Sequence, residues 1–266
     1  MDLTNQLPLG ERILFEQPTN EAIRICLRLE KLATQFQAVM QTHSDIHCRI
    51  AVDTLLETLK LVSRPDLKSK LAQCLAQINA SLEQMRHFPT VSPEQLQGVK
   101  KRIEDAGNQL HGTHGKFGEI LRYNEFIKGI LLQVNTPAGI CEYASPQYLL
   151  WFTLPIEQRF LQLKEWYRNF DLLNHVANLI LDLVRTSSDS TSILAGRGFY
   201  QQSLPMQPPC YMIRVSVEKQ WGLYPEISVG RHRLSVYFLK LDFNNLEKRP
   251  VQTHDDIQFE LNICQI

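Results

Sequence analysis

YMIRVSV, residues 211–217, sets Met212, Arg214 and Ser216 against Ile213, Val215 and Val217. A period of two with β-branched residues on one side is the pattern of a half-buried strand. Similar short segments surround it: GFYQQ at 198–202, LYPEISV at 223–229, LSVYFLKLDF at 234–243 and DIQFELNI at 256–263. Turn residues separate them, so the C-terminal part reads as an antiparallel sheet or sandwich.

Upstream the apolar period changes from 2 to 3.6 residues. A first helix is expected over 20–41, with Asn20 as its cap and Glu21 in its first turn. A second follows over 45–63 behind Ser44, and Pro65 ends it. Asp66 heads a third, 67–86, whose Leu67, Leu71, Cys74, Ile78, Leu82 and Met85 form a long stripe. SPEQ at 92–95 is a capping-box start for a helix carrying Leu96, Val99, Ile103 and Leu110. HGTHGKFG, 111–118, breaks the pattern before another helix at 119–133. Pro137 and Gly139 mark a turn and the expected domain boundary. ICEY reads as a short strand, SPQYLLWF as a short helix behind Ser145, and two more helices are expected over 156–169 and 171–187. ILFE at 13–16, before the first helix, has the look of a strand start. The fold class is therefore α+β, with a helical domain over 1–136 and a β-rich domain over 137–266 that holds helices near 146–187.

The 266 residues include 28 Lys+Arg and 28 Asp+Glu, so the chain is neutral. General nucleic-acid binding leans on a basic surface, and this balance argues against it. The six cysteines are scattered without a CxxC pair, which fits reduced, buried thiols of a cytosolic protein better than a disulfide framework. The start, MDLTNQLPLGER, has neither a basic leader nor a long apolar run, and no stretch reaches the length of a membrane span. No phosphate loop, GxSxG or HExxH is present. His43, His47 and Cys48 could share a helical side, and His111 with His114 a loop, but solvated histidines explain both. The sequence thus points to no catalytic residue, no metal and no cofactor.

Basic residues cluster in three places. They are Arg24, Arg28 and Lys31; Lys60, Arg64, Lys68 and Lys70 around Asp66; and Arg197, Arg214, Lys219, Arg231, Arg233 and Lys240 with only Glu218 and Glu226 between them. Arginine's planar fork suits carboxylates, so such clusters fit an acidic peptide. A solvated face with weak ion pairs fits them as well.

Six segments decide between these readings. ILFEQPTNEAIRICLRLEKL at 13–32, TPAGICEYASPQYLLWFTLP at 136–155, LILDLVR at 179–185, GFYQ at 198–201, LYPEIS at 223–228 and FEL at 259–261 occur in register. Together they resemble the ZapD family of bacterial cell-division proteins, which cross-link FtsZ filaments. The resemblance implies a helical domain followed by a β-rich one, a symmetric homodimer formed largely through the helices, no enzymatic activity and a place in the cytoplasm at the mid-cell division site. It also implies a basic surface that receives the acidic and apolar C-terminal tail of FtsZ. Arg28 of LRLE, Arg122 of ILRY and Arg233 of RHRLSVYF match basic positions of the family. Arg24 and Arg231 join them on charge and spacing alone. The stripe over 67–86 is a further reason to expect dimerisation. The rival reading is a cytosolic, non-enzymatic adaptor for another acidic peptide or for RNA.

Overall fold

Asn20 starts the first helix as its side chain suggests, its Oδ1 accepting from the backbone N–H of Ile23 at 2.9 Å. The computed structural model describes residues 11–85, 93–134, 137, 139–140, 143–205, 207–245 and 247–266. It is α+β: helices dominate the N-terminal part and antiparallel sheets the C-terminal part.

The chain forms two compact units. One is helical, Arg24–Leu181; the other joins the residues up to Ile23 to Asp182–Ile266. A boundary at 136 is not where the chain divides. The helices over 146–181 group with the N-terminal helices, and the leader before residue 20 groups with the C-terminal strands. Pro137 and Gly139 mark a turn inside the helical unit, and a turn alone does not separate two cores.

In the helical unit, α1 (Glu21–Val39) is followed by α2 (Asp45–Val62), α3 (Leu67–Met85) and α4 (Pro93–Gly112). Ser44 caps α2 by accepting from the His47 N–H. Leu67, Leu71, Cys74, Ile78 and Leu82 of α3 are all buried, so the expected dimerisation stripe is used by the chain's own core. Asp66 heads α3, its carbonyl accepting from the Lys70 N–H at 3.0 Å, while its carboxylate pairs with Arg64 and Lys70. The side chains of Met85 and Ser92 lie outside the described residues, as do Cys141 and Glu142 of the expected ICEY strand.

The single helix expected at 119–133 is two, α5 (Glu119–Tyr123) and α6 (Glu125–Gln133). Asn124 leaves helical geometry at ψ 115° and caps α6 through Oδ1 to the Ile127 N–H at 3.1 Å. An asparagine that competes for backbone donors starts a new helix here. Gly118, just before α5, sits at φ 68°, and a Cβ there would lie 2.5 Å from Leu59 Cδ1. The unit closes with α7 (Pro146–Phe152), α8 (Ile156–Tyr167) and all but the last turn of α9 (Asp171–Arg185). Ser145 holds the N-cap position of α7 but makes no side-chain cap bond. Phe36 of α1 stacks on Tyr167 of α8 at 3.8 Å between centroids.

The second unit is a sandwich of two antiparallel sheets. In the first, β1 (Arg12–Pro18), β4 (Cys210–Glu218), β8 (Ile257–Gln265) and β2 (Thr191–Ala195) lie in the order β1-β4-β8-β2. In the second, β3 (Phe199–Ser203), β6 (Arg233–Lys240) and β5 (Leu223–Val229) lie in the order β3-β6-β5, with β7 (Val251–Gln252) on β6. Ile213, Val215 and Val217 of β4 meet Leu234, Val236 and Phe238 of β6 in one core. β2 and β7 were not expected. One is hidden by the serine-rich run before it, the other by being two residues long.

On the first sheet's opposite face, Glu16 of β1 accepts from Arg185 at 2.8 and 2.9 Å and from Arg214 of β4 at 3.1 Å. In the second sheet, Phe238 of β6 donates to Gly198 and accepts from Thr253. Its partner across the ladder, Pro225 of β5, therefore directs its backbone outward, where proline has no N–H to offer.

Candidate functional site

The buried side of α1 is Ile25, Cys26, Leu29, Ala33 and Phe36. Helical periodicity then puts Arg28 and Lys31 outside, and both are exposed. Neither has an ion pair among the described residues. Arg24, one turn earlier, is half-buried and engaged in interactions of its own. Arg28 and Lys31 border an open groove of about 590 Å³ between α1 and α2, with Leu32 and Leu61 as apolar walls and Lys60 on the far side. Asp53 and Glu57 line the same groove. Burial, then the neighbouring Glu57, raises the proton affinity of Asp53 above that of an ordinary carboxyl. The groove is thus amphoteric, with its unpaired cations on the α1 side.

Arg122 is placed differently. It is half-buried at the end of α5 and donates through Nη2 to the Leu59 carbonyl in the last turn of α2 at 2.9 Å. That carbonyl also accepts from Ser63 Oγ at 2.5 Å. A cation at a helix C-terminus is favourable, because the carbonyl end carries partial negative charge. Arg122 Nε is buried with no hydrogen-bond partner. The side chain acts as a clamp on α2, which the ILRY pattern could not disclose.

Arg231 and Arg233 belong to the sheet unit, the other three to the helical unit. Gly230, Arg231 and His232 form the β5–β6 turn, closed by the Gly230 N–H donating to the Arg233 carbonyl at 2.8 Å. Both arginines are exposed and without an ion pair among the described residues. Leu234, Val236 and Phe238 face the sandwich core, so Arg233, Ser235 and Tyr237 share the outer face. Tyr237 lies 4.7 Å from Phe199, ring to ring. This aromatic pair on the arginine face was not singled out from sequence, although the alternation RLSVYF carries it. The structure therefore groups Arg24 with Arg28, and Arg231 with Arg233, on different units.

The candidate metal ligands are occupied otherwise. His43 Nδ1 pairs with Glu157 at 2.8 Å, His47 Nδ1 bonds Ser44 Oγ at 2.7 Å, and Cys48 is buried. Among the described residues, no group of three or more His, Cys, Asp or Glu is placed to hold a metal ion. The described thiols are free. Burial pushes Cys74 up to about 12 and Cys210 to about 11, which makes both poor nucleophiles. Among the described residues, no helix is long and apolar enough to cross a membrane.

Comparison with known proteins gives this surface its setting. Residues 27–237 match the family model described as ZapD, cell division protein. The cell division protein ZapD of Coxiella burnetii (strain RSA 493 / Nine Mile phase I) is 40% identical over 254 residues, covering 96% of this chain and 98% of that protein. ZapD of Chromobacterium violaceum is 34% identical over 254 residues, covering 95% and 99%. ZapD of Ralstonia pickettii is 32% identical over 252 residues, again covering 95% and 99%. These are cell-division factors and not a known class of enzyme, and this chain belongs to the ZapD family.

Proposed function

We propose that the protein binds the C-terminal tail of FtsZ and cross-links FtsZ filaments into bundles, steadying the division ring at mid-cell in the cytoplasm. The observation that carries this reading is a pair of exposed arginine sites without an ion pair among the described residues, in a neutral chain of this family: Arg28 on α1, and Arg231 with Arg233 on the β5–β6 turn. Guanidinium groups without internal partners are free to take carboxylates bidentately. Apolar walls beside Arg28 and the Phe199–Tyr237 pair beside Arg233 suit a tail that is apolar as well as acidic. Arg24, one turn from Arg28, is already engaged, and Arg122 holds α2 in place. In a homodimer each tail site occurs twice, so one dimer can hold two filaments. Repetition along the filaments adds avidity without any new contact.

The test is low-speed sedimentation of polymerised FtsZ with the wild-type protein and with Arg28→Glu and Arg233→Glu. Wild type brings the polymer into the pellet. Each reversal lowers the pelleted fraction and weakens binding of the tail peptide, and added salt weakens all of them because exposed charges are screened. Wild-type protein that leaves the polymer in the supernatant at low salt would overturn the reading. If bundling persists in both variants, the arginine sites are wrong and another surface takes the tail.

A further inference from the structure

The groove between α1 and α2 carries its charges in an order. A short connection, residues 40–44, makes the two helices antiparallel neighbours, and Gln35 Nε2 donating to Thr54 Oγ1 at 3.0 Å fixes which residues lie opposite. Arg28 of α1 therefore falls toward Lys60 and Leu61 of α2, whereas Asp53 falls at the Gln35 end. Lys31 and Glu57 lie between them. On each helix the step from one end of the groove to the other is two turns, about 10 Å of rise. The groove thus runs from a basic end to an acidic end past the half-buried Leu32 and Leu61. The charges at its ends do not cancel. Glu57 is paired with Lys60 at 3.4 Å, but Arg28, Lys31 and Asp53 are exposed and without an ion pair among the described residues. Partial burial and then Glu57 disfavour the charge of Asp53, and Arg49 and Lys60 of its own helix do not make up the difference. A carboxylate so placed gains from a cation brought to it.

We infer that this groove reads an ampholytic peptide: a carboxylate of the ligand lies at Arg28 and Lys31, a basic side chain of the same ligand lies at Asp53, and an apolar residue between them packs on Leu32 and Leu61. This rests on the tail binding proposed above and adds to it the requirement for a base. The two accounts of Asp53 differ in sign. If the groove took only the acidic and apolar residues of a tail, Asp53 would repel what it binds, and removing its charge would tighten the complex. If the ligand presents a base there, removing the charge loosens the complex. About 10 Å is covered by three residues of extended chain, so the acid and the base stand about three positions apart. The order of charges also sets direction, because a ligand laid the other way round brings like charges together at both ends. By the same repulsion Asp53 rejects a purely acidic peptide, which Arg28 and Lys31 alone would accept.

The experiment is calorimetric titration of the full chain at low salt with two ligands, the FtsZ tail peptide and the same peptide with every lysine and arginine replaced by glutamine. Circular dichroism melts of each variant run alongside. Asp53→Asn keeps the shape of the side chain, melts like wild type and is expected to weaken the natural peptide about three- to ten-fold. The base-free peptide is expected to bind wild type more weakly by a similar factor, and to bind Asp53→Asn no more weakly than wild type. Asp182→Asn, the same charge change on an exposed residue of α9, is the control and does not weaken either peptide. An Asp53→Asn protein that binds the natural peptide as tightly as wild type, or more tightly, overturns the inference while the tail reading stands. An equal loss for both peptides overturns it too, because the effect of Asp53 would then not run through a base. Wild-type protein that binds neither peptide removes the tail reading itself, and this inference with it.

Discussion

Replacing Arg122 separates its two possible roles, because its structural contribution can be worked out from its contacts. Arg122→Met keeps the packed stem and removes a charged donor from the Leu59 carbonyl. A hydrogen bond to a charged group contributes about 1.5–3 kcal/mol. Two features reduce the net loss. The carbonyl keeps Ser63 Oγ and is not left bare, and the buried, unpartnered Nε disappears with the guanidinium. Relief of that unsatisfied donor offsets about 1 kcal/mol, so the methionine variant is expected to lose about 1–2 kcal/mol. Arg122→Glu adds a carboxylate against the negative end of α2, which brings the loss to about 3 kcal/mol. For a chain of this size each kcal/mol moves the melting midpoint by about 2–4 °C. Arg28→Glu, exposed and unpaired, stays within about 0.5 kcal/mol. Urea unfolding followed by circular dichroism measures all three, and tail-peptide binding is compared at equal folded fraction. An Arg122→Glu variant as stable as wild type would refute the clamp. A glutamate variant that binds the tail normally once the folded fraction is matched would confine Arg122 to the fold.

Other expectations follow from contacts of the same kind. Gly118→Ala forces a side chain into the left-handed region and against Leu59 and Phe170, and should cost about 2–4 kcal/mol in chemical denaturation; a neutral result would mean the α5 start relaxes freely. Glu16→Gln leaves Arg185 and Arg214 sharing a neutral acceptor in a site where all three side chains are less than a quarter exposed, and a loss of about 2–3 kcal/mol is expected; unchanged stability in urea would show that the network is solvated. Hydrogen bonds from Lys70 and Arg64 lower the Asp66 carboxyl to about 2, below the ordinary carboxylate value. Because the folded value is the lower, the unfolded state binds more protons between the two. The stabilisation is therefore complete above the ordinary carboxylate value and is lost as pH falls from there toward 2. A carboxyl-carbon NMR titration of Asp66 with its midpoint near 4 would contradict the pairing.

How far the sequence disclosed this molecule varies with how local the signal is. Asn20 and Ser44 announced helix starts because a cap acts within three residues of itself. Alternation in YMIRVSV announced β4 because a strand facing one core alternates wherever its neighbours lie. The grouping of β1 with β4 was not legible, since pairing Phe15 with Val215 spans 200 positions and leaves no mark on either segment. The site shows the same limit. Exposure of Arg28 follows from the apolar period of α1, whereas the attachment of Arg122 to α2 depends on a carbonyl 63 residues away. The apolar hollow lined by Phe126, Trp151 and Leu154 escaped notice because Phe126 and Trp151 belong to separate short helices and Leu154 to the bend after the second. No one of these helices is long enough to display a face.

Pro225 has a consequence for assembly. A sheet edge with a full row of free donors and acceptors recruits further strands, and such recruitment has no natural stopping point. A protein that grew in this way would become an open-ended ribbon. On β5 the missing donor at Pro225 interrupts the outward row in the middle of the strand, leaving Ile227 and Val229 too short a run to hold another chain. A single ring nitrogen thus closes the β5 edge to further strands.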